Sequence, residues 1–392
     1  MENKIDLLTY NLFIRPPGVK TNKNDFKDER LKELMKHISK YDIVCFQELF
    51  GFLSRRQKQF IKKSKTKGFK YSYSAPFSPS TLSVLDGGLV ILSKLPITET
   101  DHIIYSKACA IDRVVAKGAI YAKINSGSKN SNSHFHLFTT HLQASYRSKD
   151  KTMEETDQKA KSIRKSQLKE LRNFIYKKAI QKNPLDFQEP IVVAGDFNIN
   201  AFPEFKKEEL FGYKENYSQK YTDTPEYQRL IKTLSFKNFI VQDLAKIHNQ
   251  NIPQITSGDF DISNNEIISK ETVLSSKLDQ CSCSSLDYIF LIKPKISNSN
   301  YHFNSIENST KTVPFFVQNL PFSQLSDHYG VSTCFENNSN NSENNSENNS
   351  ENNSDQIKFK TNKKRWLRLS FMKTFPISIL SICVLLVFTF LF

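Results

Sequence analysis

The chain has 392 residues and a net charge of +15, and its 31 Phe and 15 Tyr supply enough apolar surface for a sizeable core. This composition excludes a wholly disordered chain, and the length allows one large domain or two of ordinary size. Because most of the positive charge lies in residues 1–335, we expect an anionic partner such as a phosphate ester, a nucleic acid or an anionic lipid surface. The alternative is a lysine-rich solvated surface, which charge alone does not exclude.

Residues 1–336 are predicted to form one α/β domain. Apolar runs with strand-like patterns alternate with segments of helical periodicity. Segment 157–180 has an apolar stripe, and Lys and Arg fill its other faces. Since strands outnumber helices in this long body, we expect two packed β-sheets with helices outside. The predicted strands are 5–13, 42–46, 88–93, 118–124, 134–140, 190–194, 286–292 and 330–335, and the predicted helices are 27–39 and 157–180.

The composition changes abruptly after residue 336. Segment 337–354 repeats Asn, Ser and Glu without an apolar residue, which predicts a disordered linker. Segment 355–373 is rich in Lys and Arg, and segment 374–392 has no charged residue. As a helix, 374–392 would span about 28 Å at about 1.5 Å per residue, close to the thickness of the hydrocarbon layer. We expect a basic juxtamembrane segment and a C-terminal transmembrane anchor; the alternative is a buried core helix.

The two ends of the chain together predict an orientation in the membrane. The first residues, MENKIDLLTYNLF, lack a basic region followed by a long apolar stretch, so we expect no secretory signal. A single-pass C-terminal anchor with basic residues before it then predicts a cytoplasm-facing domain. The basic segment 355–373 also favours anionic lipid headgroups. Glycosylation of the Asn-x-Ser triplets in 337–354 would require the opposite orientation.

Polar residues cluster where predicted strands begin or end. Because strand ends open onto one rim of a sandwich, loops there gather functional groups from distant parts of the sequence. Each residue also has a purely structural explanation: Glu48 as an acid at a helix start, His141 as a core histidine and Asp196 as a turn residue. Asp287 is compatible with a turn cap, and Asn11 with a strand-edge amide. In chain order, the clusters are Asn11 in TYN, Glu48 in CFQE, His141 in TTHLQ, Asp196 and Asn198 in GDFN, Asp287 in LDY, and Asp327 and His328 in SDH.

As an ordered set, these residues suit metal-assisted hydrolysis of a phosphodiester. Phosphodiesters resist attack because they are anionic, and a hard divalent ion such as Mg²⁺ counters this charge while using few carboxylates. Glu48 is the candidate ligand for Mg²⁺, and Asn11 is expected to add its carbonyl oxygen. The sequence therefore predicts a hydrolytic metal site at this rim.

The histidines and the other carboxylates are predicted to bind substrate and to transfer protons. His328 is the candidate general base that takes a proton from the attacking water. Such a base works best when a carboxylate fixes its tautomer. Asp287 suits this role better than Asp327, which points to the opposite side of an extended chain from His328. The residues expected to bind phosphate oxygens or to protonate the leaving alcohol are His141, Asp196 and Asn198.

The whole pattern resembles the endonuclease/exonuclease/phosphatase superfamily over most of 5–335. The segments that carry this resemblance are TYNLF, VCFQELF, GGLVILSKLPI, THLQASY, VVAGDFNIN, LDYIFLI and QLSDHYGVS. The segments similar to the neutral sphingomyelinases within it are THLQASY, GGLVILSKLPI, DRVVAKGA and the hydrophobic C-terminal segment. The resemblance implies a four-layered α/β sandwich and an essential Mg²⁺.

The resemblance also implies roles for individual residues. Glu48 would bind the Mg²⁺ with Asn11 nearby, and Asp327 would touch the metal or a catalytic water. Asp112 and Lys117 in IDRVVAKGA are spaced like an Asp–Lys pair that serves some relatives as a conformational switch at the active site. The alternative for this stretch is a strand with an exposed lysine.

Three functions compete at this point. The first is a membrane-anchored, Mg²⁺-dependent phosphodiesterase that hydrolyses sphingomyelin, or a related phosphosphingolipid, to ceramide and a phosphorylated head group. The second is a nuclease or another phosphodiesterase or phosphatase of the same superfamily, and the third is a non-catalytic, membrane-tethered lipid-binding protein. An anchor confines the chain to the surface that holds a lipid substrate and raises its effective concentration, whereas a nuclease gains nothing from it. We therefore favour the lipid substrate and expect no nucleic-acid partner.

Overall fold

The computed structural model describes most of residues 4–338. Apart from its first two residues, the predicted linker 337–354 lies outside the described residues, as do the basic segment 355–373 and the predicted anchor 374–392. Among the residues that are described, no helix is long and apolar enough to cross a membrane. The described ranges are 4–76, 84–127, 133–146, 153–181, 189–203, 222–263, 266–277, 279–295 and 302–338.

Short strands dominate the described chain, and helices are interspersed between them. The strands are β1 (Lys4–Ile14), β2 (Ile43–Leu49), β3 (Tyr71–Ser74), β4 (Val90–Ser93), β5 (Ile97–Ile104), β6 (Gly118–Asn125), β7 (His134–His141), β8 (Ile191–Asp196), β9 (Phe239–Asp243), β10 (Phe260–Ser263), β11 (Glu266–Ser269), β12 (Asp287–Pro294), β13 (His302–Ser305), β14 (Lys311–Val313) and β15 (Gly330–Asn338). The helices are α1 (Lys27–His37), α2 (Arg56–Ser64), α3 (Met153–Ile175), α4 (Pro225–Leu234) and α5 (Leu244–Ile247). A turn of π-helix, Tyr176–Ile180, continues α3.

The strands form two large mixed sheets and one small hairpin. In the first sheet the order is β13–β15–β1–β2–β4–β3, with β14 paired to β15. In the second sheet the order is β5–β6–β7–β8–β12–β9, and β10 pairs only with β11 among the described strands. β1 is parallel to β2 and antiparallel to β15, while β8 is parallel to β7 and antiparallel to β12.

The two sheets pack face to face, and helices cover both outer faces. Because successive strand residues point to opposite faces, one set of apolar side chains fills the space between the sheets and the other set meets the helices. Core residues between the sheets include Leu7, Ile43, Leu137, Val192 and Leu291. Outside the first sheet, the core includes Leu8 and Val44 with Leu31 and Leu34 of α1 and Phe60 of α2. Outside the second sheet, the core includes Phe138 and Val193 with Leu168 and Leu171 of α3 and Leu230 of α4.

These four layers confirm the predicted α/β sandwich of two packed sheets with flanking helices. All eight predicted strands and both predicted helices are present. Several strands run farther than their apolar pattern, and the extra residues include Gln47 and Glu48 in β2 and Asp196 in β8. Predicted strand 42–46 continues to Leu49, and 190–194 continues to Asp196. The ladder of backbone hydrogen bonds therefore carries the polar residues into the strands themselves, which fixes their positions.

Candidate active site

One end of the second sheet gathers three of the predicted site residues. His141 is the last residue of β7, Asp196 is the last residue of β8, and Asp287 is the first residue of β12. The strand register places His141 beside Asp196 and Asp196 beside Asp287. Since β8 is parallel to β7 and antiparallel to β12, the end of β7, the end of β8 and the start of β12 lie at the same end of the sheet. Residues far apart in sequence thus become neighbours, and all three are buried.

The corresponding end of the first sheet supplies the other half of the site. Asn11 in β1 lies opposite Gln47 in β2, so Glu48 follows directly at the strand end. Asp327 and His328 lie just before β15, which pairs with β1. Glu48 has a φ of +53°, a left-handed backbone conformation that is unusual for a residue with a Cβ. This turn of the backbone is a local feature of the site that the sequence does not reveal.

Asn11 joins the two sheets. Its amide nitrogen donates to Glu48 Oε1 at 3.2 Å and to Asp196 Oδ2 at 2.9 Å. The side-chain carbonyl oxygen of Asn11, the predicted metal ligand, accepts from the backbone N–H of Phe13 at 3.1 Å, and its role as a ligand stays a prediction. One buried amide thus holds two carboxylates from different sheets close together.

His328 and Asp287 form a buried pair. Nδ1 of His328 lies 2.7 Å from Asp287 Oδ2. Burial alone would lower the pKa of His328, but the charge and hydrogen bond of Asp287, aided by Asp327 and Asp196, raise it well above its usual value. With Nδ1 bound to the carboxylate, Nε2 is the ring nitrogen left for a substrate or a water. The structure therefore brings together the two residues predicted as general base and orienting carboxylate.

A second buried cluster surrounds His141. Nζ of Lys117, just before β6, lies 3.1 Å from His141 Nε2 and 2.9 Å from Asp112 Oδ2. Asp112 lies in a short 3₁₀ turn, Ala110–Val114. Burial, and then the positive charge of Lys117, lower the pKa of His141 well below its usual value, so this histidine is neutral. Because Lys117 is buried, the alternative of an exposed lysine is wrong, whereas the switch function of the pair stays a prediction.

The carboxylates of the site are crowded enough to favour a bound cation. Burial raises the pKa of Glu48, and the charge of Asp327 raises it further. Burial, and then the charge of Asp287, raise the pKa of Asp196 to about 7. Oδ1 of Asp287 is buried and has no hydrogen-bond partner among the described residues. A divalent cation would relieve this repulsion, so the donor set fits a metal ion.

Two overlapping sets of ligands are available to such an ion. Ligand atoms of Asp196, Asp287 and His328 lie within 4.8 Å of one another. A hard ion such as Mg²⁺ prefers oxygen ligands, and Nδ1 of His328 already lies 2.7 Å from Asp287 Oδ2, so this ring is better placed as a partner of Asp287 than as a ligand. Glu48 is linked to Asp196 through the amide of Asn11 and offers an all-oxygen alternative. A candidate metal site therefore lies at the carboxylates of Glu48 and Asp196.

Asn198 and Asp327, the remaining residues predicted at the rim, also lie at the site. The backbone N–H of Asn198 donates to Asp196 Oδ1 at 2.9 Å, and its side-chain amide donates to the backbone oxygen of Leu142 at 3.1 Å. Asn198 has a φ of +51°, a left-handed conformation that Asn tolerates better than most residues. Oδ1 of Asp327 accepts from the hydroxyl of Ser326 at 3.1 Å. Each rim residue named from the sequence is therefore found in this one site.

A buried polar network behind His141 was missed by the sequence reading. Arg164 of α3 is buried, although we assigned the Lys and Arg of this helix to faces other than the apolar stripe. It donates to the two oxygens of Glu226 at 2.8 and 2.9 Å and to the backbone oxygen of Gln143 at 3.1 Å. Gln167 accepts from the backbone N–H of Gln143 at 2.8 Å. These contacts hold the loop after His141, and no periodicity separates Arg164 from the other basic residues of the helix.

Comparison with known proteins gives consistent results. A model of the endonuclease/exonuclease/phosphatase family matches residues 8–291. A sphingomyelinase of Dictyostelium discoideum is 30% identical over 475 aligned positions, which cover 86% of this chain and 100% of that protein. A sphingomyelinase C of Bacillus cereus is 25% identical over 83% of this chain and 87% of that protein. The range matched by the family contains every predicted site residue except Asp327 and His328.

A solved structure shares the fold. A mutant of the beta toxin of Staphylococcus aureus, solved with bound magnesium ions, aligns with a TM-score of 0.53 at 20% identity. The alignment covers 84% of this chain and 99% of that chain. At this identity the likeness concerns the fold alone. The likeness agrees with the two-sheet architecture. The beta toxin structure also provides one example of a protein with this fold that holds magnesium ions.

Proposed function

Because the chain belongs to the endonuclease/exonuclease/phosphatase family and, within it, to the sphingomyelinases, we propose that this phosphodiesterase hydrolyses sphingomyelin or a related phosphosphingolipid. The products are ceramide and a phosphorylated head group, which is phosphocholine when sphingomyelin is the substrate. The observation that carries the proposal is the pair of His328 and Asp287, 2.7 Å apart, beside the carboxylate of Asp196. A histidine oriented in this way beside a candidate metal site suits attack by water on a phosphodiester.

We propose Mg²⁺ as the cofactor, with Glu48 as its main ligand. The other candidate ligands are Asp196, Asp327 and Asn11. Support comes from the raised pKa values of Glu48 and Asp196 and from the unpartnered Oδ1 of Asp287 among the described residues. When bound, the ion supplies a Lewis acid that withdraws charge from the phosphoryl oxygens.

His328 acts as the general base in this proposal. Asp287 holds the hydrogen on Nδ1, which leaves Nε2 to take a proton from the attacking water. A base must first be unprotonated, and the charges of Asp287, Asp327 and Asp196 work against this by raising the pKa of His328. A cation at Asp327 and Asp196 would offset part of that negative charge. The pKa of His328 would then lie closer to its usual value, so that the ring could accept a proton nearer neutral pH.

The opposite side of the site binds the phosphate. Lys117 brings a buried positive charge to within 3.1 Å of His141, and such a charge stabilises the negative charge that develops on phosphoryl oxygens. In the structure Asp112 pairs with Lys117 at 2.9 Å, so opening this pair would release the lysine for the substrate. The candidates for binding phosphate oxygens or for protonating the leaving alcohol are His141, Asp196 and Asn198.

The C-terminal segments complete the proposal as a membrane anchor. Segment 374–392 has no charged residue, and segment 355–373 has the basic composition that anionic lipid surfaces attract. Anchoring would place the site on the surface that holds its lipid substrate and raise the effective concentration of that substrate. We propose a single-pass C-terminal anchor with residues 1–336 facing the cytoplasm.

Phosphocholine release tests the proposed reaction. The full-length chain is assayed on sphingomyelin in mixed detergent micelles, with Mg²⁺ and then with a chelator, beside the variant His328→Ala. We expect release that requires Mg²⁺ and is lost in the variant. If sphingomyelin is left intact while the same preparation cleaves DNA or another phosphate ester, the substrate assignment is wrong and the nuclease or phosphatase alternative takes its place.

A further inference from the structure

The segment 85–88, which precedes β4, lies against the loop that follows β2. The carboxylate of Asp86 makes the contact: Oδ2 accepts from the backbone N–H of Gly51 at 3.0 Å and of Phe52 at 2.7 Å. Oδ1 of the same residue accepts from the backbone N–H of Gly88 at 2.9 Å. Asp86 is only 8% exposed. A buried carboxylate that accepts hydrogen bonds from three backbone N–H groups links segment 85–88 to the loop after β2.

Gly88 brings this segment into direct contact with Glu48. The backbone N–H of Leu49 donates to the oxygen of Gly88 at 3.0 Å. Gly88 has a φ of +63°, and a Cβ built on it would lie 3.1 Å from the Cα of Glu48. Glu48 itself has a φ of +53°, which persists in a residue with a Cβ only where the surroundings enforce it. The contacts of Asp86 and Gly88 are surroundings of that kind.

The segment is held from its other side by the chain that leads to Lys117. The backbone N–H of Leu85 donates to the oxygen of Val114 at 2.9 Å, and that of Ala116 donates to the oxygen of Leu85 at 2.9 Å. A Cβ on Gly87 would lie 2.4 Å from the oxygen of Ala116, so only glycine fits there. Because both sides are fixed, Asp86 provides a rigid support for the turn that carries the candidate metal ligand.

We propose that Asp86 is a positioning residue for the metal site: it fixes the turn after β2 so that the carboxylate of Glu48 stays beside Asn11. This inference rests on the proposed function, because it takes Glu48 as a metal ligand. Groups that orient a ligand without touching the ion typically change metal affinity about 10–100-fold when they are removed. A carboxylate that only stabilises a loop would change the stability of the fold and leave the ion affinity unchanged.

Mn²⁺ binding, followed by electron paramagnetic resonance on the full-length chain, separates these two roles. We expect Asp86→Ala to weaken Mn²⁺ binding at least about 10-fold. Asp86→Asn should weaken it less, because the amide keeps one acceptor oxygen. The matched control is Glu271→Ala, since Glu271 is buried and accepts from the backbone N–H groups of Val273, Leu274 and Ser275. This control should lower the unfolding temperature with no change in Mn²⁺ affinity.

Glu48→Gln, measured in the same titration, distinguishes a failure of this inference from a failure of the proposed function. If Glu48→Gln weakens Mn²⁺ binding while Asp86→Ala changes it less than about 2-fold, the metal assignment stands and the positioning role of Asp86 is wrong. If neither variant changes Mn²⁺ binding, both assignments are overturned. Where Asp86→Ala does not fold, Asp86→Asn and Gly88→Ala decide the question, because each disturbs the Glu48 turn while keeping most of the buried contacts.

Discussion

His328 and His141 are both buried at the same rim, yet their pKa values move in opposite directions. Nδ1 of His328 lies 2.7 Å from a carboxylate oxygen of Asp287, whereas Nε2 of His141 lies 3.1 Å from the ammonium group of Lys117. Burial disfavours the charged ring in both cases, but the pKa of His328 is raised and that of His141 is lowered. Because burial acts in the same direction on both rings, the charged neighbours account for the difference between their pKa values: carboxylates surround His328, whereas Lys117 adds to the effect of burial at His141.

His136, on the same strand as His141, offers a reference pair outside the site. Its Nε2 lies 2.7 Å from Glu189 Oε2, the same distance that separates His328 from Asp287. His136 is also buried, and the hydroxyl of Tyr121 lies 2.9 Å from its Nδ1. A change in this pair removes a histidine–carboxylate contact of equal length without touching the rim.

The largest expected effect comes from breaking the pair at His328. Asp287→Asn removes the charge and the fixed tautomer that prepare the ring, so we expect kcat on sphingomyelin to fall about 10²–10⁴-fold with little change in KM. Steady-state kinetics in mixed micelles at saturating Mg²⁺ measure both constants. Glu189→Gln is the matched control and should leave kcat unchanged. Equal losses in the two variants would mean that the fold, rather than the base, had been damaged.

Removing the positive charge of Lys117 should reduce the difference between the pKa values of His141 and His328. Burial is the main cause of the lowered pKa of His141, and the charge of Lys117 lowers that pKa further. The double variant Asp112→Asn with Lys117→Met should therefore raise the pKa of His141 part of the way toward its usual value, without leaving a buried carboxylate unpaired. Nuclear magnetic resonance titration of the metal-free protein follows the ring directly. If Lys117 stabilises the phosphate, kcat should also fall about 10²-fold.

Lys123→Met is the control for this experiment. Lys123 lies at the far end of β6 and pairs with Glu189 at 2.8 Å, so its removal deletes a lysine–carboxylate contact away from the rim. The pKa of His141 should not change in this variant. An unchanged pKa of His141 after loss of Lys117 would mean that burial alone holds this ring neutral.

Much of the fold could be predicted because its central strands are apolar on both faces. Strands such as β8 and β12 read as unbroken apolar runs, and each is buried over most of its length. β5, with the sequence ITETDHII, was missed because it lies at a sheet edge and exposes much of its polar pattern to solvent. Helix α2 was missed because Phe60 is its one fully buried large apolar residue, which is too few for a periodic signal.

The site could be predicted as a set of residues but not as a geometry. Polar residues directly after apolar runs identified Glu48 and Asp196, since a core strand rarely ends on a carboxylate without a partner. The register that aligns the strand ends is a tertiary property, as is the orientation of the amide of Asn11. Asp86 and Arg164 were missed because their partners are mainly backbone groups or distant residues, which leave no pattern near them in the sequence.

The smallest expected effect concerns the reference pair itself. Burial alone would raise the pKa of Glu189, but hydrogen bonds from His136 and Lys123 lower it from 4.5 to about 2. Because the folded-state pKa lies below the unfolded value, this carboxylate stabilises the fold above about pH 4.5, and its contribution is lost as the pH falls toward 2. Glu189→Gln should therefore lower the free energy of unfolding at pH 7 by about 1 kcal/mol or less, since the side chain is 32% exposed and solvent screens the pair.

Urea unfolding of the metal-free protein at steps between pH 7 and pH 2 measures this contribution. The difference between Glu189→Gln and the unchanged chain should shrink as the pH falls, because protonated Glu189 no longer differs in charge from Gln. A difference that grows toward pH 2 would mean that the pKa of Glu189 is not lowered in the fold. Suppose that the difference shrinks as expected and that Glu189→Gln leaves kcat intact. Two histidine–carboxylate contacts of the same length then have different roles: the contact of Glu189 stabilises the fold, and the contact of Asp287 orients His328 for proton transfer. The surroundings of each carboxylate, with a candidate metal site beside only one of them, then account for the difference.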